Sequence, residues 1–160
     1  MKQITNYITE ALHLNKDSGK KKYTYQSKDK KELRNIIEQR LEKNKDADLN
    51  DIDVSKIDDM SNLFSDLDPH NIDISKWNVS NVKWMNAMFM GCKNFNCDIS
   101  NWNVSNVEYM NFMFYGCYEF NCNLSEWDVS MVRKWNGIFG PYDGMHEFKK
   151  EYKPKFKLKK

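Results

Sequence analysis

Glycine is scarce and scattered in this chain, six residues in 160, which excludes a glycine-rich loop able to wrap a phosphate. Histidine is scarcer still. His13, His70 and His146 fall in three separate segments, none at a spacing that sets it beside a nucleophile, so a catalytic triad has no support. No apolar run approaches the roughly 20 residues that cross a bilayer. The opening residues, Met1-Lys2-Gln3-Ile4-Thr5-Asn6, carry neither an apolar stretch nor a small-residue cleavage site. No secretory signal is expected, and the chain is placed in the cytoplasm or within an assembly. Cysteine is limited to Cys92, Cys97, Cys117 and Cys122, two pairs of which the second follows the first by 25 residues. Each Cys is therefore a recurring position and not a member of a disulfide or zinc framework. Buried reduced thiols are expected, and no metal or cofactor.

What the chain has in quantity is repetition. Trp77, Trp102 and Trp127 stand 25 residues apart, as do Val79/Val104/Val129, Ser80/Ser105/Ser130, Val82/Val107/Val132 and Phe89/Phe114/Phe139. Residues 72–96 and 97–121 agree at 17 of 25 positions without a gap. A degenerate earlier copy spans 47–71, with Ile52, Val54, Ser55, Ile57, Met60 and Phe64 in the same slots, and a partial one spans 122–140. Self-similarity at one fixed period predicts a repeat architecture.

Charge divides along the same boundaries. Residues 1–46 hold 12 basic and 7 acidic side chains, residues 47–140 hold 6 and 13, and residues 141–160 hold 7 and 3. An acidic array thus lies between basic ends. The Lys-rich tail, with Phe148, Tyr152 and Phe156 interleaved, is the only feature that suits nucleic acid, and the acidic repeats argue against that partner. Tyr152, Pro154, Phe156 and Leu158 alternate, so the tail either adds a last strand as a cap or is disordered.

Four regions follow. Residues 1–18 comprise an amphipathic helix, with Ile4, Tyr7, Ile8 and Leu12 on one face, and a polar linker; this helix either packs on its own repeats or docks elsewhere as an address. Residues 19–46 contain a brief strand at Tyr23-Thr24-Tyr25 and a helix over Lys28–Lys43 with Ser27 as N-cap. Its stripe of Leu33, Ile36, Ile37, Arg40 and Leu41 would cover the end of the array as a cap. Residues 47–140 are the repeats, and 141–160 the basic tail. Inside each repeat two periods alternate. Met85, Met88, Phe89 and Cys92, and again Met110, Met113, Phe114 and Cys117, predict a short helical stripe, ended near Gly91 and Gly116. Phe95, Cys97 and Ile99, then Phe120, Cys122 and Leu124, predict a strand.

The segment Asp98-Ile99-Ser100-Asn101-Trp102-Asn103-Val104-Ser105-Asn106-Val107, followed by Met110-Asn111-Phe112-Met113-Phe114-Tyr115-Gly116-Cys117, resembles the repeat of the BspA-like leucine-rich-repeat family of bacterial surface proteins and lipoproteins. The resemblance covers about 47–140. It implies an α/β fold: a short, right-handed, leucine-rich-repeat-like solenoid with a parallel sheet, here with an N-terminal helical cap. It further implies no catalysis, a role in protein binding or adhesion, and a surface location. A short array of this kind would also suit a mobile element or a bacteriophage.

Two surface features remain. Asp73 and Asp98 would stack beside Ser75, Ser100 and neighbouring Asn residues as an oxygen-rich row able to hold Ca²⁺, although polar outward rows are the norm. The best two repeats also disagree at Lys83/Glu108, Trp84/Tyr109, Ala87/Phe112, Met90/Tyr115 and Lys93/Tyr118, on or beside the expected outer helical face. Large aromatics outside a core are the usual anchors of protein interfaces. Trp84, Tyr109, Phe112, Tyr115 and Tyr118 are therefore the candidate partner-binding residues, unless they pack on the N-terminal helix or each other. The function expected is non-catalytic protein–protein interaction through the outer surface. The alternative is a structural or cargo component of a larger assembly, addressed by its N-terminal helix.

Overall fold

The computed structural model describes residues 23–140 and 150–156; the docking-helix residues Ile4, Tyr7, Ile8 and Leu12 lie outside them, as do His13, His146, Phe148 and Leu158. Regular secondary structure is sparse. Strand β1 (Tyr25–Gln26) pairs in parallel with β2 (Ile52–Asp53), Tyr25 opposite Ile52 and Gln26 opposite Asp53. Between them runs helix α1 (Lys30–Lys43), and a single 3-10 turn spans Lys150–Tyr152. This corrects the expected fold class. The α/β leucine-rich-repeat-like solenoid with its parallel sheet is not what forms: the described repeats contain neither a helical turn nor a strand beyond β2, and the described residues are mostly turn and loop.

Backbone geometry explains the correction. Asn62, Ala87, Phe112 and Gly137 share one repeat position, and all have φ between 51° and 60°. Asp66, Gly91 and Gly116 share a second, at φ 62° to 77°. Two left-handed residues so close together cannot sit inside a right-handed helix. The alternate N–H groups that a helix would use internally point to the following repeat instead. Met85 donates to the Tyr109 carbonyl at 2.8 Å, Ala87 to Asn111 at 2.8 Å, Phe89 to Met113 at 3.0 Å and Gly91 to Tyr115 at 2.8 Å. The expected inward alternation of Phe95, Cys97 and Ile99 holds, since all three are buried, but no ladder forms there. Asp98 Oδ1 accepts the Ser100 N–H, and the Trp102 N–H closes a turn on the Ile99 carbonyl, so the extended stretch is cut short. Parallel pairing between repeats is confined to single bridges, Asp48 with Asp73 and the row Asp59, Trp84, Tyr109, Lys134.

The recurring residues make one core. Phe64, Phe89, Phe114 and Phe139 stack ring on ring at 5.2, 5.7 and 5.8 Å, and Phe95 and Phe120 lie against Phe89 and Phe114 at 4.0 and 4.2 Å. Trp77 and Trp102 are parallel at 6.5 Å. Each buried indole N–H also finds an acceptor in the preceding repeat: Trp77 reaches the Leu49 carbonyl, Trp102 that of Ile74 and Trp127 that of Ile99. Burying an indole without such a partner would cost about 1–3 kcal/mol. Asn and Asp side chains make the corners, Asp73, Asn78, Asp98 and Asn103 each accepting the N–H of the Ser two residues on, a local turn these residue types favour.

Helix α1 begins two residues later than expected. Asp29 is the N-cap and accepts the Glu32 N–H at 2.9 Å, while Glu32 accepts the Lys28 N–H at 2.7 Å, a reciprocal pair that satisfies two terminal donors. Leu33, Ile37 and Leu41 are buried. Arg34 was missed in sequence. Its guanidinium donates to the Asn62, Leu63 and Ser65 carbonyls at 2.6, 3.1 and 3.1 Å and pairs with Glu38. In the next repeat, the carbonyls equivalent to Leu63 and Ser65, Met88 and Met90, accept N–H groups from Phe64 and Asp66. Arg34 thus supplies donors that the first repeat has no predecessor to provide. At the other end the described part of the tail, residues 150–156, contains no strand: the Leu124 N–H donates to the Tyr152 carbonyl at 2.9 Å, and Phe156 stacks on Trp135 at 4.9 Å.

Candidate protein-binding surface

None of the five aromatic candidates lies on a helical face, because the left-handed positions leave no helix there: Trp84 and Tyr109 stand in the row of bridges, and Phe112, Tyr115 and Tyr118 lie on turns. Four are exposed: Trp84 at 36%, Phe112 at 46%, Tyr115 at 39% and Tyr118 at 42%. Tyr109 is half-buried. Trp84 and Tyr109 occupy the same repeat position and are bridged directly in parallel, so their side chains leave neighbouring repeats side by side. Asp59 and Lys134 end that row, and the Lys83 ammonium stands 5.9 Å from the Trp84 ring. Beside it runs a row of alternating charge, Asp58, Lys83, Glu108 and Arg133, in which Arg133 and Glu108 pair at 3.2 Å.

Phe112 and Tyr115 form a second pair, edge to face at 6.0 Å. They lean over the last repeat: a Cβ added at Gly137 would lie 2.7 Å from the Phe112 ring, and one at Gly140 would lie 3.6 Å from Tyr115. Part of their area is thus spent on glycine backbone. Phe112 also holds φ 57°, a conformation that costs a bulky residue about 1–2 kcal/mol. Among the described residues no ring contact joins Tyr118 to either pair. One exposed apolar residue escaped the sequence reading: Met131, 49% exposed, stands where Asn81 and Asn106 donate to Ser55 and Ser80 carbonyls, and that break in the Asn column was its signal.

The remaining polar groups are occupied with structure. Hydrogen bonds from Ser100 hold Asp98 below the usual carboxylate value. Burial opposes the same shift at Asp73, where Asn50, Ser75 and the Lys76 charge outweigh it. The Asp73 and Asp98 oxygens are turn acceptors, and among the described residues no group of three or more His, Cys, Asp or Glu side chains converges. The cysteines are free thiols. Cys92 and Cys117 donate to the Phe64 and Phe89 carbonyls at 3.0 Å. Burial pushes Cys92 up to about 12 and Cys97 and Cys122 to about 11, and raises Cys117 as well. A thiol so raised is a poor nucleophile at neutral pH.

No described helix is long and apolar enough to cross a membrane. A family model described as "Mycoplasma protein of unknown function, DUF285" matches residues 31–153, from α1 to the 3-10 turn. No curated protein and no solved structure matches the chain.

Proposed function

The chain belongs to the DUF285 family, and we propose that it is a non-catalytic repeat protein that binds another protein through the exposed aromatic row begun by Trp84 and Tyr109. The observation that carries this reading is the contrast within one repeat position. Asp59 and Lys134 are charged, yet the two middle repeats place Trp and Tyr there, adjacent, with Trp84 exposed and Tyr109 half-buried. Exposed Trp and Tyr cost solubility unless covered, and they are the residue types that concentrate binding energy when they are. Asp58, Lys83, Glu108 and Arg133 alternate in sign beside the row and suit a partner whose rim carries charges of both signs around an apolar centre. The resemblance to BspA-like repeats points to the same class of role.

The test is affinity capture from the native host with the intact chain, with the chain carrying Trp84→Ala and Tyr109→Ala, and with residues 1–18 deleted. A protein retained by the intact chain and lost from the aromatic variant supports the reading, provided the variant's thermal midpoint is unchanged. Retention by the aromatic variant with loss on deletion would move the binding role to the N-terminal segment and overturn the proposal.

A further inference from the structure

We propose that the open edge of the last repeat, at Trp135–Gly137, takes an extended segment of a partner protein through backbone hydrogen bonds. The chemistry of the occupant is read from the repeats themselves. In the first repeat the N–H groups of Met60 and Asn62 donate to the carbonyls of Trp84 and Asn86; in the second, Met85 and Ala87 donate to Tyr109 and Asn111; in the third, Met110 and Phe112 donate to Lys134 and Asn136. Trp135 and Gly137 hold the same positions in the last repeat, and among the described residues neither N–H has an acceptor.

A side chain stands between these two donors. Asn86 Oδ1 accepts the N–H of Asn111 at 3.1 Å, and Asn111 Oδ1 accepts that of Asn136 at 3.0 Å. Asn136 is next in the row, and its Oδ1 has no donor among the described residues. The edge therefore displays donor, acceptor, donor, and both Asn136 and Gly137 are exposed. A matching segment offers the carbonyl of residue i and both the N–H and the carbonyl of residue i+2, the pattern that Tyr109 and Asn111 present to the second repeat. Unpaired donors along an edge are templates for strand addition.

Two further contacts restrict the occupant. Phe156 already stacks on Trp135, in the space where residue i+1 would point, so that residue has to be small. A second copy of this chain does not fit, because α1 lies along the matching edge of its first repeat, with Lys30 on Asp59 and Arg34 on three carbonyls. The occupant is a foreign extended segment.

The probe is the peptide Lys-Ala-Asn-Gly-Ile-Phe, which copies residues 134–139 with Ala at the small position, added to the full-length chain. Amide hydrogen exchange at Trp135 and Gly137 should be fast in the free chain and slow at least tenfold on saturation. Asn136→Ala removes the edge acceptor from an exposed site; it should weaken the peptide about five- to tenfold, as expected for one hydrogen bond of about 1 kcal/mol, and leave the thermal midpoint in place. Trp84→Ala should leave peptide affinity alone, which separates this edge from the aromatic row. The proposal is overturned by amides already protected in the free chain, by protection that rises with protein concentration alone, by no binding at millimolar peptide, by shifts confined to Trp84 and Tyr109, or by an Asn136→Ala variant that binds as the parent does.

Discussion

Trp102→Ala probes the stacked core at its centre. The ring is 4% exposed, lies parallel to Trp77 at 6.5 Å, touches Phe89 at 6.4 Å and donates to the Ile74 carbonyl at 3.2 Å. An indole buries on the order of 200 Å², which at about 25 cal/mol per Å² corresponds to roughly 5 kcal/mol. The unfolded chain already hides part of that surface, lowering the figure. The lost hydrogen bond adds about 1 kcal/mol and no more, because Ile74 still accepts the Trp77 N–H. The expected loss is about 3–5 kcal/mol, read from urea unfolding at pH 7 as a lower midpoint with an unchanged slope. Trp102→Phe keeps a ring but not the donor, and should lose roughly half as much. A loss under about 1 kcal/mol for the alanine variant would mean that the indole is not in the core.

Three other outcomes follow from the same contacts. Arg34→Ala uncovers the Leu63 and Ser65 carbonyls and should lower stability by about 1–3 kcal/mol, with Arg34→Lys recovering little because one ammonium cannot fork across them; equal stability of parent and alanine variant would refute that role. Gly137→Ala forces a Cβ against the Phe112 ring at φ 60° and should cost about 1–3 kcal/mol, a penalty that Phe112→Ala relieves in a double-mutant cycle; additive losses would contradict the contact. Stability should also bend at both ends of the pH scale. Asp53, Asp59, Asp73 and Asp98 lie below the ordinary 3.8 when folded, so their contribution is present above that value and lost as pH falls through the lower folded values. The thiols are raised, to about 12 at Cys92 against an ordinary 9.0, so stability is intact below pH 9 and declines between about 9 and 12 as the unfolded chain ionises. A flat profile over either window would refute the corresponding shifts.

Periodicity made much of this molecule legible. The recurring Trp, Val, Met, Phe and Cys make up most of the buried set, Cys122 and Phe139 being only partly buried, and Leu33, Ile37 and Leu41 lie inward on α1 as their spacing predicted. The secondary structure was not legible, for a physical reason. Met85, Met88, Phe89 and Cys92 have helical spacing and all point inward, yet a tight coil with a left-handed residue at Ala87 and another at Gly91 presents the same spacing inward. Side-chain periodicity reports which residues share a face, while φ reports how the backbone gets there, and Ala87 and Phe112 are residue types that do not announce a positive φ. Arg34 was hidden for a related reason: its partners are backbone carbonyls, which leave no mark in a sequence. The aromatic candidates were found because they break the repeat. Met131 breaks it as well, with an apolar side chain that is not aromatic.

If the proposed function holds, the repeat divides into residues that hold the chain together and exposed rings that bind a partner, and affinity against stability tests that division most directly. With the captured partner purified, titration calorimetry on the Trp84→Ala, Tyr109→Ala chain should show affinity weakened at least about thirtyfold, as for interface anchors worth 2 kcal/mol or more, while unfolding stability changes by less than about 1 kcal/mol. Unchanged affinity, or a loss of stability large enough to account for weaker binding, would contradict it.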